Sequence, residues 1–291
     1  MNRVTSALIL GSIFLFGRAV TAQEFPWIAD EKITRIDALW TDEKIEIDGK
    51  LNEKSWVEAK PSPKFVDLIS GEPTAYSTTV KLLWDDKYLY VGYEIEEPNV
   101  RGKFTQRDSP IYEDNDVEIF IAGENAYYEF EINSLGTIYE GLFVWQKDFE
   151  SSGLAKLKEL DRTNPVLRFQ EFNGVGFTKH PRGKRWAFLG WDFPEAKTAV
   201  AVQGTLNDDK DKDRGWTVEL AFPWEGMKLL NYSNPRPLPP KPADQWRLDF
   251  SRFNQYKVQP PLNDSGGWAL SYHGIWDSHI PEYFPYVTFR K

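Results

Sequence analysis

The chain has no cysteine and, over 291 residues, only two methionines and three histidines. The missing thiol excludes a disulfide framework, a zinc–thiolate site, a thiol nucleophile and a lipid-modified N-terminal cysteine. His180, His273 and His279 leave little material for imidazole chemistry, and no His-based metal motif is present. Basic charge is also short: 35 Lys and Arg face 44 Asp and Glu, a formal net charge of −9 at pH 7. A field of that sign repels phosphate backbones, so a nucleic-acid partner is not expected. Helical periodicity is nearly missing. Residues 53–60, with Trp56 inward, and 154–160 read as short helical turns, and little else does.

Long apolar runs are confined to residues 4–17, shorter than the roughly 20 residues that span a bilayer. The basic start Met1-Asn2-Arg3 precedes that run, and Val20-Thr21-Ala22 supplies small residues behind it. This pattern predicts an export signal over 1–22, cleaved before Gln23. The expected location is periplasmic or extracellular, with no stable membrane insertion after cleavage. A secreted chain without disulfides fits a bacterial envelope.

What the sequence has instead is aromatic side chains, 15% of residues, including 12 Trp. Most lie in short alternating segments. Residues 80–84, a polar turn at 85–87 and 88–95 read as a hairpin. Strands are predicted over 117–122, 127–133 and 138–145, then 199–206, 216–222, 245–253 and 283–290. Many short strands punctuated by Gly, Asn, Asp and Pro predict an all-β fold, an antiparallel β-sandwich of the jelly-roll or immunoglobulin-like kind. One domain over 23–291 is expected, with a loop-rich insertion at 146–198. Within it, KHPRGKRWAFLGW (179–191) is a basic and aromatic island, where Arg182, Lys184 and Arg185 offer donors to an acidic partner or a sugar. Trp84 is in phase with Val80 and Leu82, and Trp216 with Val218, Leu220 and Phe222, so both are assigned to the core, as is Trp56. Trp145, Trp186, Trp191 and Trp268 fit either burial or a binding surface.

No Ser/His/Asp pattern or Gly-rich phosphate loop is present. A glycosidase needs two carboxylates held across a cleft, and no spacing singles out such a pair. Oxygen-rich spacing does recur. Asn207, Asp209, Asp211 and Asp213 alternate along one turn, the kind of spacing that wraps Ca²⁺, although the glycine falls one place late for a D-x-D-x-D-G loop. A solvated acidic turn accounts for the same residues. Asp114, Asn115 and Asp116 form a second such cluster.

Three pairs of segments resemble the family 9 carbohydrate-binding modules. They are IDGKLNEKSW (47–56) with LWDDKYLYV (83–91), YEDNDVEIF (112–120) with EFEIN (129–133), and GWTVELAFPW (215–224) with Trp276 ahead of a last strand bearing Phe284. The 146–198 segment does not match. The resemblance implies a sugar held between two aromatic side chains, Tyr112 and Trp276, with Glu118 and Asn133 on its hydroxyls. It also implies bound calcium without fixing its ligands, for which the 207–213 turn and Asp114 and Asp116 are the candidates. One residue departs from the pattern: the arginine expected in the 129–133 strand is Glu131, which replaces a fixed fork of donors by acceptors. Glu118 and Glu131 then form an acidic rim able to accept from sugar hydroxyls, while a pyranose C–H face suits an aromatic π-face. The expected function is non-catalytic binding of a polysaccharide or oligosaccharide end in support of carbohydrate catabolism. The alternatives are a glycoside hydrolase-like enzyme, or a cell-envelope interaction protein without a sugar site.

Overall fold

The computed structural model describes residues 24–177, 179–256 and 263–291. The predicted export signal and its cleavage site lie outside them. Fourteen strands follow in order: β1 (Arg35–Trp40), β2 (Val66–Asp67), β3 (Thr78–Trp84), β4 (Tyr88–Glu96), β5 (Asp116–Ala122), β6 (Ala126–Asn133) and β7 (Ile138–Trp145), then β8 (Phe169–Phe172), β9 (Arg185–Phe188), β10 (Lys197–Gln203), β11 (Gly215–Pro223), β12 (Gln245–Phe253), β13 (Gly267–Ala269) and β14 (Tyr286–Arg290). The helices are short: α1 (Lys54–Glu58), α2 (Gln146–Phe149) and several single 3₁₀ turns. No helix among the described residues is long and apolar enough to cross a membrane.

The strands form two layers that share β12. In the first layer the order is β10-β11-β4-β3-β1-β14, and the start of β12 pairs with β14 through residues 245–247. From Leu248 onward β12 pairs with β5 instead and enters the second layer, β8-β9-β7-β6-β5-β12, to which β13 and β2 add a short edge. Pairing is antiparallel as expected except at β1, which runs parallel to both of its neighbours, β14 and β3. The stretch read as an insertion supplies β8 and β9, which extend the second layer beyond β7.

Alternation sorts the side chains between layers. Val80, Leu82 and Trp84 of β3, Leu89, Val91, Tyr93 and Ile95 of β4, and Trp216, Val218, Leu220 and Phe222 of β11 point inward. They meet Val117, Ile119 and Ile121 of β5 and Tyr128, Phe130 and Ile132 of β6 from the facing layer. Each fully buried side chain of this size contributes about 1.5–3 kcal/mol. Outside the first layer, α1 seats Trp56 against Leu83, Tyr90 and Ala221, and the Trp56 indole donates to Glu219 at 2.9 Å. Trp145, Trp191 and Trp268 are buried as well.

The second layer is buried on both faces, which is why all of β5 and β6 is inaccessible. Its outward residues are Asp116, Glu118, Phe120 and Ala122 on β5, and Tyr127, Glu129, Glu131 and Asn133 on β6. Phe120, Tyr127, Phe143 and Trp145 form a small apolar cluster there with Phe284. On β5 and β6 the rest of that face, Ala122 aside, is four carboxylates and the Asn133 amide.

Candidate functional site

Register places the carboxylates side by side. Glu118 lies directly opposite Glu131, and the same row continues to Ser251 on β12 and Tyr139 on β7. The next row carries Asp249, Phe120 and Glu129; the row on the other side carries Phe253, Asp116 and Asn133. Like charges directly opposite on neighbouring strands are destabilising. Here the effect is compounded, because oxygens of Asp116, Glu118 and Glu131 all lie within 4.8 Å of one another. Two such charges at that distance repel by about 3.5 kcal/mol at an effective dielectric constant near 20.

The three side chains are almost inaccessible, at 0%, 4% and 2% exposure. Burial, followed by the charges of neighbouring carboxylates, holds all three well above the usual carboxylate range. Part of each group is fixed by the protein. Ser251 Oγ donates to Glu118 at 2.9 Å, the Phe253 N–H donates to Asp116 Oδ1 at 3.3 Å, and the Tyr112 N–H donates to Glu131. Asp116 Oδ2 and Glu131 Oε2 are buried without a hydrogen-bond partner. The nearby histidines are committed elsewhere. His279 pairs with Glu129 at 3.1 Å and His273 with Asp249 at 3.3 Å. His279 Nδ1 lies 3.1 Å from the Tyr127 hydroxyl, which accepts from Arg185. With a neutral imidazole whose Nδ1 accepts, Tyr127 donates to it, while Nε2 lies beside Glu129.

Above this floor is a cavity of about 390 Å³, lined by Glu118, Glu129, Glu131, Tyr139, Phe172 and His279 together with Tyr112 and Trp276. Its size is within the range of small-molecule sites, about 300–1,000 Å³. Tyr112 is the middle residue of a 3₁₀ turn just before β5; buried Ile111 anchors the turn and leaves the Tyr112 ring 49% exposed. That ring stands edge-on to Tyr139, 5.8 Å between centroids. Trp276 is 37% exposed and packs edge-to-face on Phe253 at 5.0 Å. Its ring lies so close to Gly267 that a Cβ there would meet it at 2.6 Å, so glycine is what admits the indole. The 272–284 loop that carries Trp276 is tied down by Asp277. One carboxylate oxygen accepts from Val175 and Gly176 N–H at 2.6 and 3.0 Å, the other from His279 N–H at 2.7 Å.

Of the residues read from sequence, Tyr112, Trp276, Glu118 and Glu131 therefore converge on one cavity. Asn133 does not line it. It is fully buried, donating to Phe104 O and Asp114 and accepting from the Leu135 and Thr137 N–H groups, a loop-holding role. Asp114 points the same way, accepting from Lys103 and Phe104 N–H, whereas Asp116, fully buried and not itself lining the cavity, brings an oxygen to Glu118 and Glu131, which do. Asp114 closes the 3₁₀ turn before β5 begins at Asp116, so the strand's alternation does not govern it. In the 207–213 turn, Asn207 accepts from Gly102 N–H and donates to Gly102 O. Asp213 accepts from Val100 and Thr205 N–H, and Asp209 pairs with Arg101. Asp211 is exposed. These side chains strap the turn to residues 99–102. Among the described residues, the acidic and histidine side chains that gather as a metal-holding group are Asp116, Glu118 and Glu131.

Glu129, Tyr139, Phe172 and Asp277 were not singled out from sequence. The period-2 phase puts Glu129 on the face of Glu131, but Phe172 comes from β8, where four residues carry too little pattern to assign a face. In the basic island, Arg185 is buried, donating to the His279 carbonyl at 3.0 Å, while Lys184 pairs with Glu171 and Arg182 with Asp148.

A two-layer β-sandwich with an aromatic-rimmed cavity on the outer face of one layer defines the class. Residues 47–138 match the family described as carbohydrate family 9 binding domain-like, so the resemblance to family 9 modules holds over the first two pairs of matching segments. No match was found among curated proteins. Among solved structures, the chain is similar to a Bacteroides uniformis ATCC 8492 protein described as a candidate carbohydrate-binding protein. The two share 13% identity and a TM-score of 0.55, over 89% of this chain and 100% of that one, a likeness of fold. It is also similar to a family 9 carbohydrate-binding module of Caldicellulosiruptor kristjanssonii determined with cellotriose. That pair shows 15% identity and a TM-score of 0.46 over 88% of this chain and 94% of that one.

Proposed function

We propose that the protein binds carbohydrate without transforming it, holding a polysaccharide or oligosaccharide end in the cavity between Tyr112 and Trp276. The observation that carries this reading is the convergence of two exposed aromatic rings, from turns far apart in sequence, on one cavity floored by acceptors. Most other Trp side chains are spent in the core. A sugar needs both features: an apolar face for its C–H surface and acceptors for its hydroxyl edge. The family match over 47–138 supports the same conclusion. With the export signal expected over 1–22, the protein works outside the cytoplasm, in support of carbohydrate catabolism. A glycan-array screen in calcium-containing buffer tests this. Binding of a defined set of glycans, with no reducing sugar released on incubation, is the expected result. An empty array or hydrolysis of the bound glycan overturns it.

A further inference from the structure

We propose that Asp116, Glu118 and Glu131 ligate a divalent cation, calcium, at the floor of the aromatic cavity. Three buried carboxylates place oxygens within 4.8 Å of one another, and two of those groups, Asp116 and Glu131, each keep a buried oxygen with no partner. The charges that act on them are those of carboxylates, one another's first for Glu118 and Glu131, and beyond the cluster those of Asp114, Glu129 and Asp249. Ser251 and the Phe253 and Tyr112 N–H groups each hold one oxygen of Glu118, Asp116 and Glu131 respectively, so the cluster is oriented before any ion arrives.

The donor set is oxygen alone, which suits hard cations rather than zinc or copper. Magnesium demands near-octahedral geometry and keeps several of its waters, whereas calcium accepts 6–8 oxygens in flexible arrangements. A buried triad of carboxylates fits calcium better. It also leaves coordination positions to be filled from the cavity, by water or, on the carbohydrate reading above, by neighbouring sugar hydroxyls. The cation then occupies the place of the arginine that the family 9 resemblance puts at position 131.

Calcium titrated calorimetrically into the EDTA-treated full chain tests the site. One ion per chain is expected, with Glu131→Gln and Asp116→Asn each weakening it by more than about tenfold, the scale of lost metal-site partners. Asp211→Asn, in the 207–213 turn, should leave it unchanged. Glu131→Arg supplies a fixed cation, so it should be folded in EDTA and show no rise in melting temperature with calcium. No binding to the wild-type chain overturns the proposal. So does binding that survives both cluster variants, binding lost with Asp211→Asn, or a wild-type calcium response in Glu131→Arg. Calcium binding that obeys these variants while no glycan binds leaves the cation site standing and overturns the carbohydrate reading alone.

Discussion

Replacing Glu131 by Gln should stabilise the calcium-free protein, although it removes a fully packed native side chain. Glu131 faces Glu118 directly across β5 and β6 and sits with Asp116 inside the same 4.8 Å cluster. Two pairwise repulsions of about 3.5 kcal/mol each set the scale. The protein escapes most of that by keeping protons on the cluster, at about 1.4 kcal/mol per unit of pKa displacement. A gain of about 1–3 kcal/mol at pH 7.5 is expected, since Gln keeps the shape and adds a donor among acceptors. For a chain of this size that is a melting-temperature rise of roughly 3–10 °C. The sign with pH follows from the raised carboxylates. A folded state that binds more protons than the unfolded one loses stability as pH rises above the ordinary carboxylate range. The wild type in EDTA should therefore lose stability from pH 5 to 7.5, and the variant should lose less. Thermal unfolding followed by circular dichroism at both pH values is the assay. A Glu131→Gln chain less stable than wild type in EDTA at pH 7.5 would refute the reasoning.

Arg252 is 1% exposed and donates to Glu97 at 2.8 Å, to Thr78 Oγ1 at 2.9 Å and to Glu96 O at 3.0 Å; Arg252→Met strands Glu97 and should cost about 3–5 kcal/mol in urea unfolding, a near-neutral result refuting it. Burial pulls the His273 imidazole down, but Asp249 and the Asp277 carbonyl outweigh it and raise its pKa above 6.5. The stability it contributes is thus present below pH 6.5 and lost as pH rises through its folded value. Its NMR titration midpoint should lie above 6.5, and the His273→Gln chain should show a flatter stability profile from pH 6 to 9. A Cβ at Gly204 would lie 1.8 Å from Asp213 Oδ1, so Gly204→Ala should dislodge the carboxylate that holds Val100 and Thr205, at about 1–3 kcal/mol. Hydrogen exchange at those two amides should rise, and unchanged protection would count against that account.

Much of the fold was legible because strands write their burial into alternate residues. The phase of Val117, Ile119 and Ile121 already turned Glu118 to the opposite face, and the Tyr112 and Trp276 turns stood out by breaking alternation. Three features were not legible, each because it depends on partners remote in sequence. The parallel seat of β1 between β14 and β3 joins the two ends of the described chain, and nothing local in Arg35–Trp40 encodes it. The segment 146–198 read as loop because β8 and β9 are four residues each, yet β8 delivers Phe172 to the cavity. The alternating acids of 207–213 resembled a calcium loop, but Asn207 and Asp213 bond backbone about a hundred residues away. Sequence spacing shows which oxygens are near one another along the chain. Cross-strand register decides which of them meet, and it brought Glu131 to Glu118 and Asp116 instead.

The central claim, a sugar held between Tyr112 and Trp276, is tested most directly by titrating one array-positive oligosaccharide into wild type, Tyr112→Ala and Trp276→Ala in the same calcium buffer. Losing one aromatic stack should cost about 1–3 kcal/mol, by analogy with bases stacked on aromatic side chains. Each variant should therefore bind roughly 5- to 150-fold more weakly, with its circular dichroism spectrum and melting temperature near wild type. Undiminished affinity in both folded variants would contradict the account.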